Sequence, residues 1–238
     1  MNNSIYAGSY LGRKGGSGVA QWIINKMPEH QVYFEPFFGC GVVAFSKRAA
    51  PIANIGYEIS ENLCKELSML EHNFQIYNED CFFGSFWNIE QHIEDGHKVL
   101  AYFDPPYLPE TRNDYDRSQY ENELSFVEHE RLIKKLLYLH SNNTGLFLMI
   151  SGYKSELYMS MLQGWHYFEF VTMSRGGKRI ESLWCNFNPD DFIKHDYNYV
   201  GSTFTDRQRI KRKADRWVNK FKKLSLDERT FILQKLLK

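Results

Sequence analysis

The sequence predicts an α/β fold built on a mainly parallel sheet. Short apolar runs alternate with longer amphipathic stretches, each run ends in a polar or glycine-bearing loop, and no internal repeat interrupts the alternation. At 238 residues, 43% of them hydrophobic, the chain can bury one sizeable core and carry a small appendage.

Strands are expected from Val32 to Glu35, Ile55 to Glu58, Gln75 to Asn78, Val99 to Phe103 and Gly145 to Ile150, with helices between them. In an open parallel sheet the carboxyl ends of the strands line the ligand crevice, so the residues just beyond each strand are the functional candidates. Leu108 to Glu123, rich in charge, Asn and Tyr, follows a strand end and reads as a substrate loop. It leads into Ser125-Phe-Val-Glu128, a capping box that starts a helix. Further on, His166 to Ser174 and Glu181 to Phe187 read as two strands joined by Arg175-Gly-Gly-Lys-Arg179, an antiparallel edge on the sheet.

From Arg207 the residues Ile210, Ala214, Trp217, Val218, Phe221 and Leu224 keep helical spacing. That pattern predicts one docking face and one basic face. Ser225-Leu-Asp-Glu228 is a second capping box, opening a last helix through Leu233, Leu236 and Leu237. A boundary near Gly201-Ser-Thr203 divides a main domain, residues 1–202, from a basic helical tail, residues 203–238.

Lys plus Arg and Asp plus Glu both number 29, so the net charge is zero. The distribution is uneven. Between Asp206 and Lys223 nine basic residues face two acids, a local charge of +7, which leaves −7 on the remainder. Such a segment suits a phosphate backbone.

The longest apolar stretches, such as Gly145 to Ile150, fall far short of the roughly 20 residues that cross a bilayer. With no secretory start in Met-Asn-Asn-Ser-Ile-Tyr, a cytoplasmic protein without a membrane partner is expected. Cys40, Cys64, Cys81 and Cys185 lie far apart and are expected to be reduced and partly buried. The eight histidines show no ligand spacing, so no metal site is expected, nor any obligate protein partner.

The sharpest motif is Asp104-Pro105-Pro106-Tyr107, directly after an apolar strand. Two prolines stiffen the turn and remove two N–H donors, leaving carbonyl and carboxylate acceptors beside an aromatic ring. Such a site suits a planar base with an exocyclic amine, held by acceptors and oriented toward an electrophile. Three further signals follow earlier strands. Glu35-Pro-Phe37-Phe-Gly39-Cys-Gly41 lets backbone approach a ligand closely. Glu58 lies where nucleotide-binding folds place an acid for ribose hydroxyls, and Asn78-Glu-Asp80 ends the next unit.

Phe37-Phe-Gly39-Cys-Gly41, followed by Asp104-Pro-Pro-Tyr107, resembles the S-adenosylmethionine-dependent adenine-N6 methyltransferases of DNA related to Dam methylase. Tyr10-Leu-Gly-Arg-Lys14-Gly-Gly-Ser-Gly18 looks like that group's amino-terminal cofactor motif, and Thr172 to Phe187 with the basic tail is similar to its compact phage and prophage members. The resemblance implies a Rossmann-like methyltransferase fold using S-adenosylmethionine. Tyr10 and Lys14 would hold the methionine end, Glu35, Phe37, Gly39 and Gly41 the main pocket, Glu58 the ribose, and Asp80 the adenine amine of the cofactor. Asp104, Pro105 and Pro106 would form the catalytic loop with Tyr107, which would stack on a flipped adenine.

Larger members carry a separate recognition domain between the glycine motif and the Asp-Pro-Pro-Tyr motif, and here only Val42 to Phe103 intervenes. Contacts with DNA would therefore fall to Arg112 in the loop, Arg175 and Lys178 in the hairpin, and Arg207, Arg209, Lys211, Arg212, Lys213 and Arg216 in the tail. The acceptor geometry serves cytosine N4 as well as adenine N6, and a DNA-binding protein that keeps the fold without catalysis is the rival of another class.

Overall fold

The computed structural model describes residues 18–111, 122–174, 177–201 and 203–237. Seven strands form one sheet: β1 (Val32–Glu35), β2 (Ala53–Tyr57), β3 (Gln75–Tyr77), β4 (Val99–Phe103), β5 (Leu146–Gly152), β6 (His166–Ser174) and β7 (Gly177–Cys185). Their order is β3-β2-β1-β4-β5-β7-β6. Strands β1 to β5 run parallel, and β7 is antiparallel to both β5 and β6. The first five strands take the 3-2-1-4-5 order of a doubly wound, Rossmann-like sheet, and the hairpin closes one edge. This is the fold class the sequence predicts.

The eight helices are α1 (Val19–Ile24), α2 (Val42–Ser46), α3 (Glu61–Ser68), α4 (Cys81–Glu94), α5 (Phe126–Asn142), α6 (Glu156–Met161), α7 (Phe204–Lys222) and α8 (Leu226–Leu236) among the described residues. Every residue of β1, β4 and β5 is buried, as expected of central parallel strands covered on both faces. Edge strand β3 is short and mostly exposed. Helix α5 begins at the capping box of Ser125 and Glu128 and buries Leu132, Ile133, Leu136 and Leu139, one helical stripe, against the sheet. Cys40, Cys81 and Cys185 are buried and Cys64 half-buried, all as free thiols.

Several boundaries differ from the sequence expectation. β2 and β3 stop at Tyr57 and Tyr77, so Glu58 and Asn78 belong to the following loops. β5 runs two residues further because Ser151 and Gly152 pair with Leu183 and Ser182 of β7. The hairpin is tighter than a five-residue connection: its ladder continues to Ser174 opposite Gly177, which makes Lys178 and Arg179 strand residues. Asn186 and Phe187 lie beyond β7. There the Asn186 side chain accepts from Leu148 N–H at 2.8 Å and donates to the Leu146 carbonyl at 3.0 Å, replacing the ladder it ends.

The chain divides into two compact units, Met1–Asp196 and Tyr197–Lys238. In the first, residues 193–195 are strapped to residues 27–29 by the Glu29 and His195 N–H groups. Beneath the strap His30 and His195 stack with ring centroids 3.7 Å apart. His30 Nδ1 faces the Pro28 carbonyl at 2.8 Å, and His195 Nε2 faces that of Arg48 at 2.9 Å. Burial first, and nearby Lys47 second, hold both imidazoles below their ordinary pKa, His195 at about 4. Lys47 is itself pushed down to about 7 by burial.

The stability the His30–His195 pair contributes is complete above pH 6.5, where the unfolded chain is also neutral, and is lost as pH falls toward 4. His195→Leu should therefore show a shallower fall of Tm between pH 6.5 and 4 than the parent chain. Parallel profiles would remove the pair from the acid transition.

In the second unit α7 starts at Phe204, capped by Thr203, and α8 starts at the capping box of Ser225 and Glu228. Neither helix has a buried residue. Of the expected apolar stripe, Ile210, Phe221 and Leu224 are half-buried, while Trp217 is 63% exposed.

Candidate functional site

The strand order reverses between β1 and β4, the position where open α/β sheets form their ligand crevice. The loop after β1 carries the glycine turn, and the loop after β4 carries Asp104-Pro105-Pro106-Tyr107. Both motifs that stand out in the sequence therefore flank one cleft.

At the glycine turn Gly39 and Gly41 have φ of +52° and +65°, a region that costs other residues strain. A Cβ on Gly41 would also strike the ring of Phe38, which is buried and lies against Gly56 as well. Packing of the protein on itself, more than close approach of a ligand, explains that glycine. Phe37 is half-buried, its ring edge-on to Phe103 at 6.5 Å.

Glu58, buried just beyond β2, closes over this turn. Its Oε2 accepts from Gly39 N–H at 2.8 Å and its Oε1 from Ser60 N–H at 2.8 Å. Asn78 donates to the carbonyls of Glu58 and Ile59 and so ties β3's end to β2's. Asp80 caps α4 by accepting from Phe82 N–H at 2.9 Å and is half-buried.

Glu35 lies beneath the turn, only 3% exposed, where Tyr33 Oη donates to it at 2.7 Å. Burial and the proximity of Asp104 push its carboxyl up to about 8, against the lowering effects of Tyr33, Lys47 and the Ala44 N–H.

In the loop after β4, Pro105 is buried and Pro106 half-buried. Asp104 Oδ1 accepts from Ser151 Oγ at 2.7 Å and lies 3.2 Å from Tyr107 Oη. The same phenol lies 2.8 Å from Glu181 Oε2. With one proton to give, Tyr107 favours the shorter contact. Burial, with Asp104 and Glu181 beside it, holds that phenol protonated far above its ordinary range.

Ser151 also meets Tyr102 Oη at 2.8 Å, so Tyr102, Ser151, Asp104, Tyr107 and Glu181 form one polar chain. Tyr107 is 7% exposed, with Tyr153 edge-on at 4.6 Å, and Arg179 reaches the Tyr153 hydroxyl at 3.3 Å. The ring expected to stack on a base is thus covered by a second tyrosine.

Tyr10, Lys14, Arg112 and Arg175, with the side chain of Lys178, lie outside the described residues. Ser151, Tyr153 and Glu181 belong to the site although sequence reasoning misses them. Ser151 and Tyr153 carry a signal, since they stand near and just beyond the carboxyl end of β5, where the cleft is expected. Glu181 carries a weaker one, an acid heading the buried run Ser182 to Cys185.

Arg209, Lys211, Arg212, Lys213 and Arg216 are exposed on α7, and Arg207 is half-buried. Asp206 holds the Arg209 guanidinium at 2.7 Å.

No known family matches the chain, and no curated protein does. Among solved structures it is similar to an rRNA methylase from Streptococcus thermophilus, at 11% identity and a TM-score of 0.42, covering 70% of this chain and 93% of that one. It is also similar to a SAM-dependent methyltransferase from Agrobacterium tumefaciens, at 15% identity and a TM-score of 0.41, covering 71% of this chain and 60% of that one. A precorrin 8w decarboxylase from Methanobacterium thermoautotrophicum gives 10% identity and a TM-score of 0.41, covering 78% and 94%. The chain thus spans under two thirds of the Agrobacterium protein.

Proposed function

We propose that the chain is an S-adenosylmethionine-dependent methyltransferase acting on the exocyclic amine of adenine in DNA. The observation that carries the cofactor reading is the Glu58 contact with Gly39. In a dinucleotide fold the backbone N–H groups of this turn hold pyrophosphate. Here a carboxylate already accepts from Gly39, and a second anion would be repelled.

With Asp80 and Asp104 after the next two strands in chain order, the cleft edge offers acceptors and negative charge. Those residues fit a cationic ligand rich in hydroxyl and amine donors. When bound, S-adenosylmethionine supplies an electrophilic methyl group. Glu58 would hold its ribose hydroxyls and Asp80 its adenine amine.

For the target, Asp104 and the Pro105 carbonyl accept the two amine hydrogens and leave the nitrogen lone pair pointing outward. Ser151 donates to the Asp104 carboxylate, so its orientation is set before the base arrives. Asp104 is also the group placed to take the proton the amine loses. A base stacking on Tyr107 would displace Tyr153, which makes Tyr153 the ring that yields on entry.

Incubation of the purified chain with labelled S-adenosylmethionine and unmethylated DNA, read by nucleoside mass spectrometry, tests this directly. N6-methyladenine at defined positions is expected. N4-methylcytosine would move the target to the other exocyclic amine, and no product on DNA or RNA would refute the reading.

The tail is proposed to track DNA phosphates. Lys211→Gln with Arg212→Gln should flatten the slope of log affinity against log salt by about 2, near 0.9 for each phosphate left without its cation. Arg209→Gln should change it by less, because Asp206 already partners that guanidinium. Equal slopes in all variants would assign the tail another role.

A further inference from the structure

Helix α4 ends in a turn whose backbone geometry brings two histidines together, their rings tilted by 43° with centroids 5.5 Å apart. Gly96 has φ of +80°, its N–H donates to the Ile93 carbonyl at 2.9 Å, and the His97 N–H donates to the His92 carbonyl at 3.1 Å. Those paired bonds define a Schellman ending, which sets side chains five positions apart against each other, commonly as an apolar contact. Here the two positions are His92 and His97, and their Nδ1 atoms lie 3.3 Å apart. Asp95, between them in sequence, adds a third donor, with ligand atoms of all three residues within 4.8 Å of one another.

Two nitrogens at this distance share either one proton or one cation. For Zn–N bonds of about 2.0–2.1 Å, a tetrahedral angle sets the nitrogens about 3.3–3.4 Å apart. The helix adds to this preference, because its carboxyl end carries partial negative charge and favours a cation. His92 and His97 are half-buried and Asp95 is exposed, which leaves a fourth position open to water.

We propose that His92, Asp95 and His97 bind one divalent first-row transition ion, with Zn²⁺ the best fit to two imidazoles and a carboxylate. The ion clips the end of α4 to the start of β4, at the amino end of the sheet and away from the cleft. Neither the ligands nor the location depends on the proposed methyl transfer. The sequence hides the site because residues five apart on a regular helix point about 140° from each other. Only the left-handed Gly96 folds them together.

The test uses the full chain, untagged and stripped with chelator, titrated with Zn²⁺ by calorimetry and with Co²⁺ by visible absorption. One ion per chain is expected, with the intense visible bands of tetrahedral cobalt and without a thiolate charge-transfer band, which excludes the cysteines. A hundredfold excess of Zn²⁺ over Kd should raise Tm by about 5–10 °C. His97→Gln should weaken binding more than tenfold and abolish the Tm rise while leaving the metal-free Tm close to that of the parent. Should His97→Gln fold poorly, Asp95→Asn at its exposed position gives the same decision. Absence of saturable binding, or equal binding by parent and variants, overturns the site.

Discussion

Asp104→Ala is expected to lower methyl transfer by about 10³-fold, the scale seen when one preorganised polar group is removed from a reacting centre. DNA affinity and Tm should hold, for a reason visible in the hydrogen bonds around it. Ser151 retains Tyr102 and the Phe103 carbonyl, and Tyr107 retains Glu181, so no buried hydroxyl is orphaned when the carboxylate leaves. Asp104→Asn makes a finer test. It preserves shape and one acceptor but turns an amide NH₂ toward a target that is itself a donor, and it should lose nearly as much. Steady-state rates beside fluorescence-anisotropy binding would separate the two effects. A variant keeping more than a tenth of the parent rate would move the chemistry to another residue.

Glu58→Gln is expected to have the second largest effect, and on the cofactor rather than on the base. Both oxygens of Glu58 face backbone donors, Gly39 N–H and Ser60 N–H. An amide supplies one oxygen and one NH₂, so one of those donors must face another donor. Two charge-assisted bonds are thereby reduced to one neutral bond, at about 2 kcal/mol in stability. Affinity for S-adenosylmethionine should fall at least tenfold in equilibrium dialysis, whereas the KM for DNA should change little. Weakened stability with intact cofactor affinity would confine Glu58 to holding the turn.

The sequence made one half of the site readable and hid the other. The glycine turn, Glu58, Asp80 and Asp104 each follow a strand, and strand periodicity with the carboxyl-end rule suffices to line them up. Nothing local joins Ser151 to Asp104 across 47 positions or Tyr107 to Glu181 across 74. Ser151 reaches Asp104 because β5 pairs parallel with β4, and Glu181 reaches Tyr107 because β7 turns back antiparallel on β5. The same holds for Gly41, whose neighbour Phe38 is unknowable without the fold. In the tail, periodicity found both helices, and the Ser225 to Glu228 motif found the capping box of the second.

The hairpin ladder is longer than its anchorage. β6 and β7 pair along all nine residues, but β7 meets β5 only from Ser182 to Cys185. Beyond Ser182 the backbone ladder joins β6 and β7 alone among the described residues, like a cantilever built into the sheet at one end, while the Arg179 and Glu181 side chains reach Tyr153 and Tyr107. Amide hydrogen exchange should accordingly step up across that root, slow at Leu183 and Trp184 and faster at Ile180 and Val171. Glu181 sits at the fulcrum, with its carboxylate on Tyr107. A bend of the arm would therefore be carried to the phenol beside Asp104 by Glu181 directly and by Arg179 through Tyr153, which gives the ribbon leverage on the carboxylate the proposed chemistry needs.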